Sequence, residues 1–167
     1  MSETKKPVVV AVSGGFDPLH VGHIRYFKAA KALGDKLIVI INNDNWLRLK
    51  KGYVFMDENQ RKEIIESVKW VDEVVISEHQ PGTQDISITH MLLKIKPNIF
   101  AKGGDRNPEE VPIPGSEPEA CAQIGCKIIY NVGDGGKIES SSELVRRAMT
   151  DLGKRTTPAP NAQNSGG

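Results

Sequence analysis

The sequence predicts an α/β fold: a Rossmann-like five-stranded parallel sheet with helices on both faces. Two observations predict it. Short β-branched segments alternate with longer segments of helical period, and polar or glycine-rich residues follow most of the short segments. In an open parallel sheet, ligands bind beyond the carboxyl ends of the strands. The residues directly after the predicted strands are therefore the candidates for a functional site.

Each predicted strand is short, and most are rich in Val and Ile, as expected for strands covered on both faces. The predicted strands are residues 7–13, 36–42, 73–77, 98–102 and 127–131. The predicted helices are residues 22–33, 57–68, 85–95, 118–124 and 141–152. Asp57 is the candidate N-cap of the second helix, and Pro97 stops the third. Gly34 and Gly125 end the first and the fourth.

Length and composition indicate one domain. The chain has 167 residues, of which 38% are hydrophobic and 26% charged, enough for one good core. We expect residues 1–153 to form this domain and residues 154–167, rich in Pro, Gly, Asn and Ala, to be a disordered tail. The net charge of +1 provides no overall field for nucleic acid or an anionic membrane. The apolar runs are too short for a signal segment or a membrane span, which predicts a cytoplasmic protein.

Four residues that could carry chemistry are interpreted as structural. Cys121 and Cys126 are the only cysteines, and a lone C-x4-C pair lacks the four ligands of a structural zinc site. We interpret both as reduced thiols. His79 and His90 lie away from the other candidate loops, and we expect them to be surface or packing residues.

The first predicted strand is followed by the segment SGGFDPLHVGH, residues 13–23. Its glycines let the backbone approach a polyphosphate, and the helix that follows directs its N-terminal N–H groups at the same place. His20 and His23 are three residues apart, so both imidazoles can lie on one side, with Gly22 leaving space between them. Imidazole N–H groups can stabilise the charge that develops on phosphate oxygens during phosphoryl transfer.

Other interpretations of this loop are weaker. Each histidine alone would be interpreted as a capping or core residue, and a two-histidine zinc site lacks a third ligand nearby. The glycines, both histidines and the Asp17-Pro18 pair together favour a phosphate site, with Asp17 orienting the loop rather than acting as a base.

The segment GGFDPLHVGH resembles the nucleotide-binding signature of the cytidylyltransferase-like nucleotidyltransferases, and the similarity extends to about residue 152. Within that superfamily the chain is most similar to the branch of glycerol-3-phosphate cytidylyltransferase and heptose-1-phosphate adenylyltransferase. The resemblance implies that His20 and His23 are catalytic, binding the triphosphate and stabilising the pentavalent transition state. It also implies backbone contacts to the nucleotide from Gly15 and Phe16.

The basic stretch after the second strand enters a predicted loop. In the similar family a lysine of this loop reaches over the phosphates of both substrates. The resemblance thus implies a catalytic Lys51 and a nucleotide-binding Lys50, although the spacing does not choose between them; a solvated surface is the alternative. Arg61 matches an arginine early in the family's next helix. We interpret it either as an acceptor contact or as a salt bridge to Asp57 or Glu58.

The sequence KGGD after the fourth strand is similar to the heptose adenylyltransferase version of a loop beside the nucleotide. The resemblance implies that Lys102, Gly103 and Asp105 contact the nucleotide and that Arg106 contacts the acceptor. A turn stabilised by Asp105 is the alternative.

Three consecutive serines open the last helix, where one would suffice for capping. They resemble the family's Ile-Ser-Ser/Thr-Thr helix start, which implies that Ser140, Ser141 and Ser142 contact phosphate at the positive end of the helix dipole. Two features depart from the family. Glu139 precedes the serines, and the arginine that several cytidylyltransferases carry just upstream is absent, so Lys137 is its candidate substitute.

These features predict an enzyme that transfers a nucleoside monophosphate from ATP or CTP to a phosphorylated small molecule and releases pyrophosphate. The expected acceptors are a sugar phosphate, glycerol phosphate or a phosphonate. Mg²⁺ is the expected cofactor because it bridges phosphate oxygens and needs few protein ligands. A catalytically silent nucleotide-binding sensor or partner module of the same fold is the alternative. A homodimer is inferred only by analogy with similar enzymes.

Overall fold

The computed structural model describes residues 3–104, 117–133 and 139–156. Its strands are β1 (Val9–Gly14), β2 (Lys36–Ile41), β3 (Glu73–Ile76), β4 (Ile99–Gly103) and β5 (Lys127–Val132). Its helices are α1 (Val21–Lys31), α2 (Asp44–Lys51), α3 (Glu58–Glu66), α4 (Thr89–Ile95), α5 (Glu117–Ile124) and α6 (Ser141–Thr156). None of the helices within the described ranges has the length and apolar character needed to cross a membrane.

The five strands form one parallel sheet in the order β3-β2-β1-β4-β5, which confirms the predicted fold class. Alternate residues of the central strands enter two core clusters, one on each face. Phe27 of α1 and Ile65 of α3 pack in the first cluster, and Leu92 of α4 and Cys121 of α5 in the second. The second cluster also holds Cys126, and both cysteines are buried and unbridged.

Three helices depart from the prediction by more than two residues. The basic stretch after β2, predicted as a loop, is helix α2, capped by Asn43 and ended by Gly52 at a φ of 81°. Helix α4 begins at Thr89 rather than at residue 85, because Asp85 closes a turn by accepting the Ser87 N–H at 2.8 Å. Helix α6 continues to Thr156. The rest of the predicted tail, residues 157–167, lies outside the described residues.

The topology brings the carboxyl ends of β1, β2 and β4 side by side, since β1 pairs with both of the others. The backbone ladder continues one step past β2, where the Asn42 N–H donates to Gly14 O at 2.9 Å. The β1–α1 loop and the start of α2 therefore lie next to each other at this edge of the sheet.

Candidate active site

The start of α1 positions both histidines of the β1–α1 loop. His20 is the N-cap, and its Nδ1 accepts the Gly22 N–H at 3.1 Å. His23 Nδ1 accepts the His20 N–H at 3.2 Å, completing a reciprocal capping box. The two rings stack with centroids 3.7 Å apart and an interplanar angle of 22°. A Cβ on Gly22 would lie 2.9 Å from His20 Cε1, so glycine is needed for this arrangement.

These backbone bonds set the hydrogen positions on both rings. A ring nitrogen that accepts an N–H carries no hydrogen itself, so Nδ1 is bare and Nε2 carries the hydrogen in each imidazole. Burial, then the neighbouring His20 and Lys51, lower the pKa of His23 to about 3. His23 is therefore a neutral N–H donor at physiological pH rather than a cation.

Phe16 supports His23 from the core side. Its ring is buried, meets the His23 ring edge-on at 5.0 Å between centroids, and meets Phe27 at 5.1 Å. A Cβ on Gly14 would lie 2.8 Å from the Phe16 ring, so this part of the loop is closely packed. The side chain of Phe16 faces the core, so only its backbone is available for the nucleotide contact predicted for it; the contacts of Gly15 and Phe16 stay predictions.

Asp17 ties the loop to the segment before α3. Its side chain is fully buried, and its carboxylate accepts the N–H groups of Phe55 and Met56, both at 2.7 Å. Both oxygens are thus engaged in holding the backbone, which is the orienting role predicted for this residue.

Arg61 lies beneath the loop rather than on the surface. Its exposed fraction is 1%, and its guanidinium donates to the carbonyls of Gly15, Asn42 and Met56 and to Asp44 Oδ1 at 2.6–2.9 Å. The predicted salt bridge to Asp57 or Glu58 is wrong, since the ion-pair partner is Asp44. These bonds favour a structural role over the predicted acceptor contact, because they join three segments of the site.

The structure distinguishes the two lysines at the end of α2. Lys50 is exposed, whereas Lys51 is half-buried and close enough to His23 to influence its pKa. Burial lowers the pKa of Lys51 from its ordinary value; Asp17 opposes this effect and Arg61 adds to it. Lys51 therefore shares the electrostatic environment of the histidine loop.

The placement of Lys102 does not support the predicted phosphate contact. Its side chain is buried, with Nζ 2.7 Å from Glu117 Oε2 and 4.4 Å from the centroid of the Phe100 ring. Phe100 belongs to the cluster under α4 and α5, and strand alternation puts Lys102 on that same face. A buried ammonium needs a carboxylate partner, and Glu117 supplies it.

Gly103 has a packing reason to be glycine. A Cβ there would lie 2.9 Å from the ring of Tyr26, whose hydroxyl donates to Ala101 O. Its predicted nucleotide contact stays a prediction. Asp105 and Arg106 lie outside the described residues.

The three serines have different environments. Ser141 is buried, and its hydroxyl donates to Pro18 O at 2.7 Å, which fixes the start of α6 against the histidine loop. Ser140 Oγ accepts the Glu143 N–H at 3.4 Å as a helix cap, and Ser142 is exposed. The N-terminus of α6 thus lies beside that of α1, while Lys137 lies outside the described residues.

His79 is a packing residue, as predicted, but it lies beside the start of α2 rather than away from the candidate loops. His79 is 4% exposed, follows β3 at the carboxyl edge of the sheet, and its carbonyl accepts the side-chain amides of Asn43 and Asn45 at 2.8 and 3.0 Å. His90 meets its ring edge-on at 4.9 Å. The position of His79 shortly after a predicted strand was the one signal in the sequence that could have placed it at the carboxyl edge. A lone histidine three residues beyond β3 belongs to no motif, so this signal is weak.

No group of three or more His, Cys, Asp or Glu side chains in the described ranges is arranged to hold a metal ion.

Comparison with known proteins gives a family match and relatives of two kinds. Residues 11–109 match the cytidylyltransferase-like family model. A FAD synthase from Thermococcus kodakarensis is 39% identical over 107 residues, covering 64% of this chain and 68% of the relative. The bifunctional protein HldE from Coxiella burnetii is 37% identical over 106 residues, covering 62% of this chain and 21% of the relative. The matched region therefore spans about a fifth of that larger protein.

One solved structure is similar to the chain in both fold and sequence. The lipopolysaccharide core biosynthesis protein from Thermoplasma volcanium superposes with a TM-score of 0.60 at 29% identity, covering 78% of this chain and all of that one.

Proposed function

Because the chain belongs to the cytidylyltransferase-like family and is a nucleotidyltransferase, we propose that it transfers AMP from ATP to the phosphate of a phosphorylated small molecule, releasing pyrophosphate. The family match confirms the resemblance first seen in the histidine loop. The substrates are our proposal, supported by the relatives and by the geometry of the site.

The observation that carries this proposal is the pair of stacked imidazoles at the start of α1. Each ring bears its hydrogen on Nε2, because each Nδ1 accepts a backbone N–H. Two directed donors beside a helix N-terminus suit a triphosphate, whose oxygens gain charge as the α-phosphorus is attacked. Lys51, in the same electrostatic environment, would supply positive charge between the acceptor phosphate and the α-phosphate.

The reaction needs no strong base. An acceptor phosphate oxygen is already anionic, so it attacks the α-phosphorus directly. The new P–O bond forms as the bond from the α-phosphorus to the bridging oxygen breaks, and pyrophosphate leaves with that electron pair. The work of the protein is then placement and charge stabilisation. We assign the start of α6, with Ser140, Ser141 and Ser142, to the nucleotide phosphates as part of this proposal.

ATP is the proposed donor, since FAD, the product named for the Thermococcus relative, contains an AMP unit. The KGGD sequence, which resembles the heptose adenylyltransferases, favours the same base. FMN and sugar phosphates are the two acceptor classes that these likenesses support, and Asp105 and Arg106 remain proposed contacts. Mg²⁺, held mainly by the substrate phosphates since the described residues form no metal cluster, would neutralise charge that develops in the transition state.

The test is a matrix of ATP and CTP against FMN, sugar 1-phosphates and glycerol 3-phosphate, read out as pyrophosphate release and product mass. We expect one ATP-dependent product that forms with Mg²⁺ and is lost with EDTA. Nucleotide binding without turnover across the whole matrix would favour the silent binding module instead.

A matched variant tests the histidine chemistry. His20→Asn keeps a side chain that caps helices well, yet removes the Nε2–H donor. We expect its melting temperature to stay near that of the parent while kcat falls by roughly 10²-fold or more, the scale of losing one oxyanion donor. Turnover within threefold of the parent would contradict the proposed role of His20.

A further inference from the structure

Residues 77–88 connect β3 to α4 and dock on the start of α2; we call them the 77–88 segment. Besides the two bonds to the His79 carbonyl, the Trp46 indole N–H donates to Ile86 O at 3.0 Å. The Asn43 N–H donates to Ser77 Oγ at 2.9 Å. The first turn of α2 is thus bonded to both ends of the segment.

The His79 imidazole ties these two ends together. Its Nε2 lies 2.8 Å from Ser87 O, and because a carbonyl can only accept, Nε2 carries the hydrogen. With the hydrogen on Nε2, Nδ1 accepts the Ser77 hydroxyl at 2.7 Å. One buried side chain therefore bridges Ser77 and Ser87.

Helix α2 connects this segment to the reacting groups. A Cβ on Gly15 would lie 3.3 Å from Trp46 Cζ3, so the indole lies against the β1–α1 loop. Lys51 is the last residue of the same helix. A shift of the first turn of α2 would therefore displace both the support of the loop and the lysine beside His23.

We propose that His79 is a positioning residue: by closing the 77–88 segment it orients α2, and through α2 it sets Trp46 against Gly15 and Lys51 beside His23. The kinetic consequence rests on the proposed function, but the placement of Trp46 does not. His79 itself is assigned no contact with substrate.

The first experiment measures the placement of α2 by the fluorescence of Trp46 and does not depend on enzymatic activity. The chain has two tryptophans, so Trp70→Phe leaves Trp46 as the only one. In that background His79→Phe keeps a ring of similar size and removes both hydrogen bonds. We expect a red-shifted Trp46 emission and about twofold stronger acrylamide quenching, as a loosened element becomes more accessible. Ser87→Ala is the matched control, because it keeps the carbonyl that His79 uses, and it should change neither signal.

The second experiment asks whether His79 acts through Lys51. His79→Phe should lower kcat/KM about tenfold, since small displacements of catalytic groups are costly. In a Lys51→Met background the same change should have little further effect, because coupled residues are not additive. His79→Gln, whose terminal amide can still donate to Ser87 O, should recover part of the loss.

The outcomes separate the two proposals. Unchanged Trp46 emission and quenching in both the Phe and the Gln variants would overturn the positioning role, as would an equal kinetic loss with and without Lys51. If the parent turns over no substrate pair, the proposed function fails while the fluorescence comparison still decides the placement of α2. If the Phe variant does not fold, the Gln variant carries both measurements: it keeps the bond to Ser87 O but lacks the ring Nδ1 that accepts the Ser77 hydroxyl, so we expect smaller changes in the same direction, and unchanged signals would overturn the positioning role.

Discussion

Because the pKa of His23 is low, the free energy of unfolding depends on pH, and replacing His23 with a residue that does not titrate should remove this contribution. The ordinary pKa of histidine is 6.5, and in the folded protein that of His23 is about 3. Between these values the unfolded chain binds a proton that the folded chain does not, so the free energy of unfolding decreases as the pH falls. Each pH unit in this window costs about 1.4 kcal/mol. At pH 5, about 1.5 units below the unfolded pKa, the loss relative to pH 7 is about 2 kcal/mol.

The assay is urea unfolding at pH 7 and pH 5 for the parent and for His23→Gln. Gln is one of the two residues typical of this position in a capping box, and it can accept the His20 N–H without titrating. Every other titrating group is common to both proteins, and the difference between their pH dependences isolates His23. We expect the parent to lose about 2 kcal/mol more than the variant on acidification. Equal losses would refute the neutral, buried description of His23.

Two other predictions follow from the contacts of α2 and α3. Lys51→Met should lower kcat/KM by roughly 10²-fold if its ammonium stabilises the transition state. Lys50→Met is the matched exposed control, and its kcat/KM should stay within about threefold of the parent. Similar effects of the two substitutions would contradict the assignment of Lys51. Arg61→Met should destabilise the fold by about 3–5 kcal/mol in urea unfolding, because it leaves Asp44 and three carbonyls without their partner. A cost below about 1 kcal/mol would show that these bonds contribute little.

The sheet could be predicted because its signal is local. All five strands were identified within two residues at each end, since β-branched segments covered on both faces are nearly continuous apolar runs. The histidine loop could be located because its glycines, its two histidines and the end of β1 are adjacent in the sequence. The loop could also be placed at the carboxyl edge of the sheet, because ligands of an open parallel sheet bind beyond the carboxyl ends of its strands.

Helix α2 was missed although its signals are present. Asn43 accepts the Trp46 N–H as an N-cap, and Gly52 adopts the left-handed conformation typical of a helix C-cap. The basic composition between them outweighed these terminal signals and favoured a loop.

The partners of the buried charges could not be predicted in the same way. Arg61 contacts backbone from residues as far as 46 positions away, which no local pattern shows. Lys102 was partly predictable, because strand alternation places it on the same face as Phe100. Its partner Glu117, however, approaches only after α5 has packed on the sheet. Similarity to a family predicts which type of residue stands at a position. The burial of that residue and its bonding partners depend on the tertiary structure and are not predicted by the similarity.

The candidate site combines two kinds of side chain with different electrostatic properties, the imidazoles of His20 and His23 and the ammonium of Lys51. Two stacked cationic imidazoles beside an ammonium would repel one another, and the buried setting would amplify that repulsion. The backbone N–H groups of His20 and Gly22 favour the Nε2–H form of both rings, and Lys51 helps to lower the pKa of His23. In the proposed reaction the imidazoles would supply directed N–H donors, and Lys51 would supply positive charge. Since Lys51 lies at the end of α2 and the imidazoles at the start of α1, the relative placement of these two helices determines whether both act on one phosphate.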